Sequence, residues 1–217
     1  MLEFRVLGPV EAVVDGRPVP LAAAKPRALL AVLLLSRNRA VPVGELIDEL
    51  WGERPPDTAT KALQGYVSQL RKAFGVDRVL TRPPGYSLQV EAGELDLDRF
   101  DELVREGRER LAAGDAQAAS DRLGEALALW RGRPFAEFDG EPFARDAGAR
   151  LEEARLAALE ERIEADLALG RHAALVPELE ELVRREPFRE RPRAQLMLAL
   201  YRSGRQADAL DVDPIIG

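Results

Sequence analysis

The stretch that decides the fold is TATKALQGYVSQLRKAF, Thr58–Phe74, followed by the five-residue link Gly75–Val79 and then LTRPPGYSL, Leu80–Leu88. Leu63, Val67, Leu70 and Phe74 recur at the i, i+4, i+7, i+11 spacing of a helix that buries one stripe. The opposite face carries Thr58, Lys61, Gly65, Ser68 and Lys72, flanked by Gln64 and Arg71, and holds no carboxylate. After the helix, Leu80-Thr81-Arg82 and Tyr86-Ser87-Leu88 flank Pro83-Pro84-Gly85, which reads as a stiff hairpin with one Arg beside its tip. Between Arg54 and Val90 there are six Lys or Arg (Arg54, Lys61, Arg71, Lys72, Arg78, Arg82) against two acids (Asp57, Asp77), a net of +4 inside a chain of net charge −7.

A helix with cations, amides and hydroxyls on its free face suits a DNA major groove, which admits one helix and displays acceptor-rich base edges between phosphates. Alone, such a helix is also what an ordinary solvated surface element looks like. The hairpin shifts the balance, because an arginine beside a rigid tip fits a minor groove next to the helix.

Working outward, the 217-residue chain is 46% hydrophobic, enough for one large or two small cores. It contains no Cys, which removes disulfides, thiolate catalysis and Cys-based zinc sites and suits a reducing compartment. The longest apolar run, Ala28–Leu35, is far short of the ~20 residues that span a bilayer. Glu3 and Arg5 sit inside a strand-like pattern rather than a signal peptide, so a cytoplasmic protein is expected. Residues 1–96 hold 12 basic and 12 acidic side chains; residues 97–217 hold 19 and 26. A polyanion would repel the second half, so nucleic-acid contact belongs to the first.

Upstream, Leu2–Gly8 and Val10–Val14 alternate and meet Asp15-Gly16, a strong two-residue hairpin signal, so the chain opens on a small antiparallel sheet. Lys25-Pro26 starts a Leu-rich helix through Leu35, Pro42–Trp51 forms a second, and Gly52–Pro56 breaks it before Asp57 or Thr58 caps the third. The order sheet, helix, helix, loop, helix, hairpin resembles the winged-helix output domain of OmpR-type response regulators. The whole first half looks like the version found in SARP-type regulators of antibiotic biosynthesis. The residues carrying this are Pro26–Leu30, Glu45–Gly52, Pro55-Pro56, Leu63–Lys72 and Pro84-Gly85-Tyr86. Where family members have Ser or Thr capping the second helix, this chain has Val43-Gly44.

From Leu97 the texture changes to Ala-, Leu-, Glu- and Arg-rich helices with recurring turns at Gly114, Gly170 and Gly204. The last two are 34 residues apart, the tetratricopeptide period; the first two are 56 apart, one period plus 22, matching a Pro-, Phe- and Gly-rich insertion from Arg131 to Gly148. This half resembles the bacterial transcriptional activator domain of SARP-type proteins. The expected fold is therefore an α+β winged helix-turn-helix (residues 1–96) followed by an all-α tetratricopeptide-like repeat domain (residues 97–217). Pro214 stops the last helix, so the third repeat reads as truncated, with an apolar face left for a partner or a second copy.

The resemblance implies a DNA-binding transcriptional activator that recognises direct repeats as a dimer and recruits RNA polymerase with its sigma subunit. Lys61, Arg71, Lys72 and Arg82 are the first candidates for DNA contact, with Gln64, Ser68 and Gln69 behind them; for Arg71 a flank salt bridge is the other reading. Gly52, Glu53 and Arg54 lie where this domain class touches polymerase, or form a plain linker. Two alternatives stay open, a protein-interaction adaptor of tetratricopeptide type and the front part of a longer sensor. An enzyme has little support: His172 is the only His, no phosphate loop is present, Glu152-Glu153 and Glu160-Glu161 read as solvated faces, and Trp51 and Trp130 read as core anchors. No metal or cofactor is expected.

Overall fold

In the computed structural model, which describes residues 1–21, 23–138 and 140–212, the chain divides into two compact units. The first comprises residues 1–100 and 129–154, the second 101–128 and 155–217. The first opens on an antiparallel sheet of β1 (Leu2–Arg5), β2 (Glu11–Val14) and β3 (Arg17–Pro18). Asp15 and Gly16 both take positive φ, 50° and 77°, which is the type I′ geometry the Asp-Gly pair favours.

Three helices follow: α1 (Ala24–Leu35), α2 (Val43–Trp51) and α3 (Ala59–Phe74). Helix α1 is buried nearly all round because α2, α3 and the hairpin surround it. In α3 the expected stripe is the buried one: Leu63, Val67 and Leu70 are at most 2% exposed, and half-buried Phe74 meets Phe4 edge-on at 5.3 Å. Each such side chain stabilises by roughly 1.5–3 kcal/mol, which a 16-residue helix of this polarity needs in order to form. Thr58 takes the N-cap position, but its side chain makes no capping hydrogen bond.

The hairpin is larger than the sequence indicates. β5 (Val79–Arg82) and β6 (Gly85–Leu88) pair through a two-residue turn, Pro83-Pro84, while β4 (Val41–Pro42) pairs with the other edge of β6. Gly85 thus lies inside a strand, not in the turn. A Cβ there would strike the Val41 carbonyl, 2.8 Å from its carbon and 2.9 Å from the Pro42 Cα, so only glycine lets β4 approach. The uncapped start of α2 is resolved here too: Pro42 is the N-cap, and the Val43 N–H donates to the Pro84 carbonyl at 3.3 Å. Asn38, at φ 63°, donates to the Val90 carbonyl and accepts from the Val90 N–H, both at 2.9 Å, closing the sheet's far end.

The insertion belongs to this first unit. Arg131 donates its N–H to the Leu7 carbonyl at 2.8 Å and pairs with Glu11 at 2.9 Å, and Trp130 meets Phe100 edge-on at 5.5 Å. Phe143 packs on Phe135 and Phe138 at 5.8 and 5.5 Å. Asp96 accepts the Val6 and Leu7 N–H groups at 2.8 and 3.1 Å; burial still holds its carboxyl above the usual range, opposed by those hydrogen bonds and by Arg131.

The helices after the first three are α4 (Asp96–Ala112), α5 (Ala116–Ala128), α6 (Pro142–Ala168), α7 (His172–Arg185), α8 (Glu190–Arg202) and α9 (Gln206–Leu210). The boundary between the units runs through α4 and α6. The three recurring turns are the same structure. Gly114, Gly170 and Gly204 have φ of 78°, 76° and 80°, and the N–H after each reaches back five residues to the carbonyl of Arg110, Asp166 or Leu200 at 2.9–3.0 Å. These are Schellman closures, and they join α4 to α5, α6 to α7 and α8 to α9 as three helix pairs. The insertion includes a short 3₁₀ turn (Ala136–Phe138), and its last part, from Pro142, is already the start of α6. Helix α9 is five residues long, and Met197, Leu198, Tyr201 and Leu210 are exposed; Pro214 lies outside the described residues.

Candidate nucleic-acid interface

The free face of α3 is polar and open. Lys61, Gln64, Gly65, Ser68, Gln69 and Lys72 are all exposed. Thr60, one turn before Gln64, is exposed beside them and belongs to the same face, whereas Thr58, expected on that face from the sequence, stands just before the helix begins. On the hairpin, Arg82, Pro83 and Pro84 are exposed at the tip. Among the described residues, Lys61, Lys72 and Arg82 have no ion-pair partner, so their charges face solvent undiminished except by salt.

Arg71 is used differently. Its Nε donates to the Val79 carbonyl at 2.8 Å and its Nη2 to the Thr81 hydroxyl at 2.7 Å, which ties the last turn of α3 to β5. Neither a flank salt bridge nor a wholly free guanidinium describes it. Arg78, which contributes to the local basic count, is spent on structure: it forms a two-pronged pair with Glu94, both arms at 2.8 Å. The sequence shows the charges but not which of them have partners, because Glu94 is sixteen residues away and only the fold brings it in.

The loop after α2 ends on Gly52 at φ 62°, whose N–H donates to the Asp48 carbonyl at 2.7 Å, and it exposes Glu53 and Arg54. Trp51 anchors that end of α2 by stacking on Tyr66 of α3 at 6.1 Å, with the Lys25 ammonium 5.6 Å from its ring. In the helical unit, His172 is the first residue of α7 and Arg171 holds the N-cap position, so His172 does not cap the helix. Glu160 is buried against Arg189 at 2.7 Å rather than solvated. Among the described residues no group of His, Cys, Asp and Glu could hold a metal ion, and no helix is long and apolar enough to cross a membrane.

Residues 16–88 match the family described as transcriptional regulatory protein, C terminal, and residues 95–212 match the bacterial transcriptional activator domain. The regulatory protein DnrI of Streptomyces peucetius is 40% identical over 97% of this chain and 81% of its own length. The chain belongs to the SARP family of transcriptional regulators. The regulatory protein AfsR of Streptomyces coelicolor, another SARP relative, is 46% identical over 97% of the chain, but the chain spans only 21% of it. The solved structure of Mycobacterium tuberculosis EmbR, in complex with a low-affinity phosphopeptide, superposes with a TM-score of 0.94 at 39% identity, covering 97% of this chain and 57% of that one. Family and fold agree on a transcriptional regulator with a winged helix followed by a helical activator domain.

Proposed function

We propose that this SARP protein activates biosynthetic genes of antibiotic or other secondary-metabolite type by binding direct repeats and recruiting RNA polymerase. Residues 1–96 carry the DNA contact, and residues 97–217 form the activator part. In this reading α3 enters the major groove, with Lys61 and Lys72 on phosphates and Gln64, Ser68 and Gln69 toward base edges. Arg82 enters the adjacent minor groove, and Arg71 holds the helix and hairpin at a fixed spacing rather than touching DNA directly.

One winged helix makes few base contacts, so two copies sit in tandem on half-sites about one helical turn apart. Exposed Glu53 and Arg54, on the loop beginning at Gly52, meet polymerase and its sigma subunit. The protein acts in the cytoplasm. The observation carrying this reading is the set of unpartnered cations Lys61, Lys72 and Arg82 on one helix face and the hairpin tip of a chain whose net charge is −7.

A footprint of the purified chain on its own gene neighbourhood tests it. Protection should appear over two directly repeated half-sites, and addition of polymerase should extend it. Uniform weak coverage without a repeat would contradict sequence-specific binding.

A further inference from the structure

Resting on that reading, we infer that Gly65 is the point of closest approach between α3 and the duplex, a specificity-determining residue whose missing side chain admits a base edge. Glycine is the least favourable helix-interior residue apart from proline, because it gives up the most backbone freedom. One reason for a helix to keep one is that something forbids a side chain there. At Gly107 the obstacle is internal, since a Cβ there would lie 2.6 Å from the Leu123 Cγ. At Gly65 there is none: a Cβ would meet nothing within 4 Å, and its backbone is ordinary helix.

Its neighbours make the position informative. Lys61 lies one turn before it and Ser68 and Gln69 one turn after, all exposed, with Gln64 alongside. These side chains donate hydrogen bonds, so Gly65 is a flat spot ringed by donors at the middle of the free face. A major groove is only slightly wider than a helix, so a bare backbone at the centre lets the surrounding donors reach base edges and brings the Cα against an apolar feature such as the thymine methyl. Gly124 of α5 is also helical with nothing within 4 Å, but it lies in the acidic helical unit and serves as a matched control.

The experiment compares Gly65→Ala, Gly65→Leu, Gly124→Ala and Lys61→Ala with the unaltered chain, on a duplex enriched by that chain from a randomised pool and on random-sequence duplex at low salt. Gly65→Ala should melt roughly 1–3 °C higher, since alanine favours helix at an open site. It should bind the enriched duplex about tenfold more weakly, and Gly65→Leu more weakly still, while binding to random duplex changes by less than about twofold. Gly124→Ala should melt higher and bind unchanged.

If Gly65→Ala melts lower, the glycine serves the fold and the inference is wrong. If both Gly65 variants bind the enriched duplex normally while Lys61→Ala weakens it, the inference fails and the groove reading stands. If Lys61→Ala is also without effect, or no sequence is enriched, the groove reading fails and takes the inference with it.

Discussion

The two units use the same residue types for opposite ends. In the helical unit, Arg162 and Arg171 converge on buried Asp166 at 2.7 and 2.6 Å, Arg189 meets buried Glu160, and the Ser120 hydroxyl donates to Asp166 at 2.7 Å. Those arginines are consumed within the fold, Arg162 inside α6, Arg171 at the turn from α6 to α7, and Arg189 between α6 and the start of α8. On α3 and the hairpin tip, Lys61, Lys72 and Arg82 have no such partner among the described residues, although the chain as a whole has acids to spare. Local charge count is therefore a poor guide to function until each charge is assigned a partner, and a cation left over after that assignment is the informative one.

The contrast can be broken most severely at the hairpin. Gly85→Ala should cost about 3 kcal/mol or more, because its methyl group meets backbone that cannot swing aside. Thermal melts followed by circular dichroism should show the destabilisation, and DNA binding should go with it. In the other unit, Asp166→Ala should cost about 2 kcal/mol, reduced from the value for a wholly buried pair because the Arg171 side chain is 43% exposed. Urea melts should reveal it, and hydrogen exchange should place the damage in α5, α6 and α7 while α3 stays protected.

Arg71→Gln sharpens the comparison, since Arg71 is the one cation of α3 that the fold does consume. The variant should be about 1 kcal/mol less stable without those two hydrogen bonds, yet bind DNA severalfold more weakly because the hairpin is looser against α3. A double-mutant cycle between Lys61→Ala and Arg82→Ala, run in both backgrounds, should show coupling only when Arg71 is present.

The smallest effect is expected at Glu49 on α2. Burial, then the nearby carboxylates of Glu45, Asp146 and Asp48, hold its carboxyl above the usual range. A raised folded-state pKa means that stability from this group is full below its unfolded pKa and is lost as pH rises through the folded value, so the ionised group is a net cost at neutral pH. Glu49→Gln should therefore raise stability by a few tenths of a kcal/mol near neutrality, and the difference should vanish below about pH 4. Melting scans across that range would check it.

Much of this is legible in the residues. The 3.6-residue period of Leu63, Val67 and Leu70 locates α3 and its buried face, and the Asp15-Gly16 pair locates a hairpin, because both signals are local. The glycine spacing locates three helix turns that prove to be the same closure. What escapes depends on distant residues. β4 is two residues long and has no pattern of its own; it exists because Gly85 lets Val41 approach β6. The insertion reads as extra length between repeats, yet Trp130 and Arg131 fasten it to Phe100 and Leu7, pairings that no periodicity announces. At the interface, the cations are visible but the bonds from Arg71 to Val79 and Thr81 are not, since they require knowing where β5 returns.

The central claim is that Lys61, Lys72 and Arg82 are kept unpaired in order to bind DNA, the two lysines on phosphates and Arg82 in the minor groove. The slope of log affinity against log salt, measured for the unaltered chain and for the triple variant Lys61→Ala, Lys72→Ala, Arg82→Ala on one duplex, tests it most directly. Each phosphate that a cation no longer neutralises should flatten the slope by about 0.9, so the triple variant should be flatter by about 1.8 from the two lysines, and the loss of Arg82 from the minor groove should lower affinity further. An unchanged slope with unchanged affinity would contradict the account.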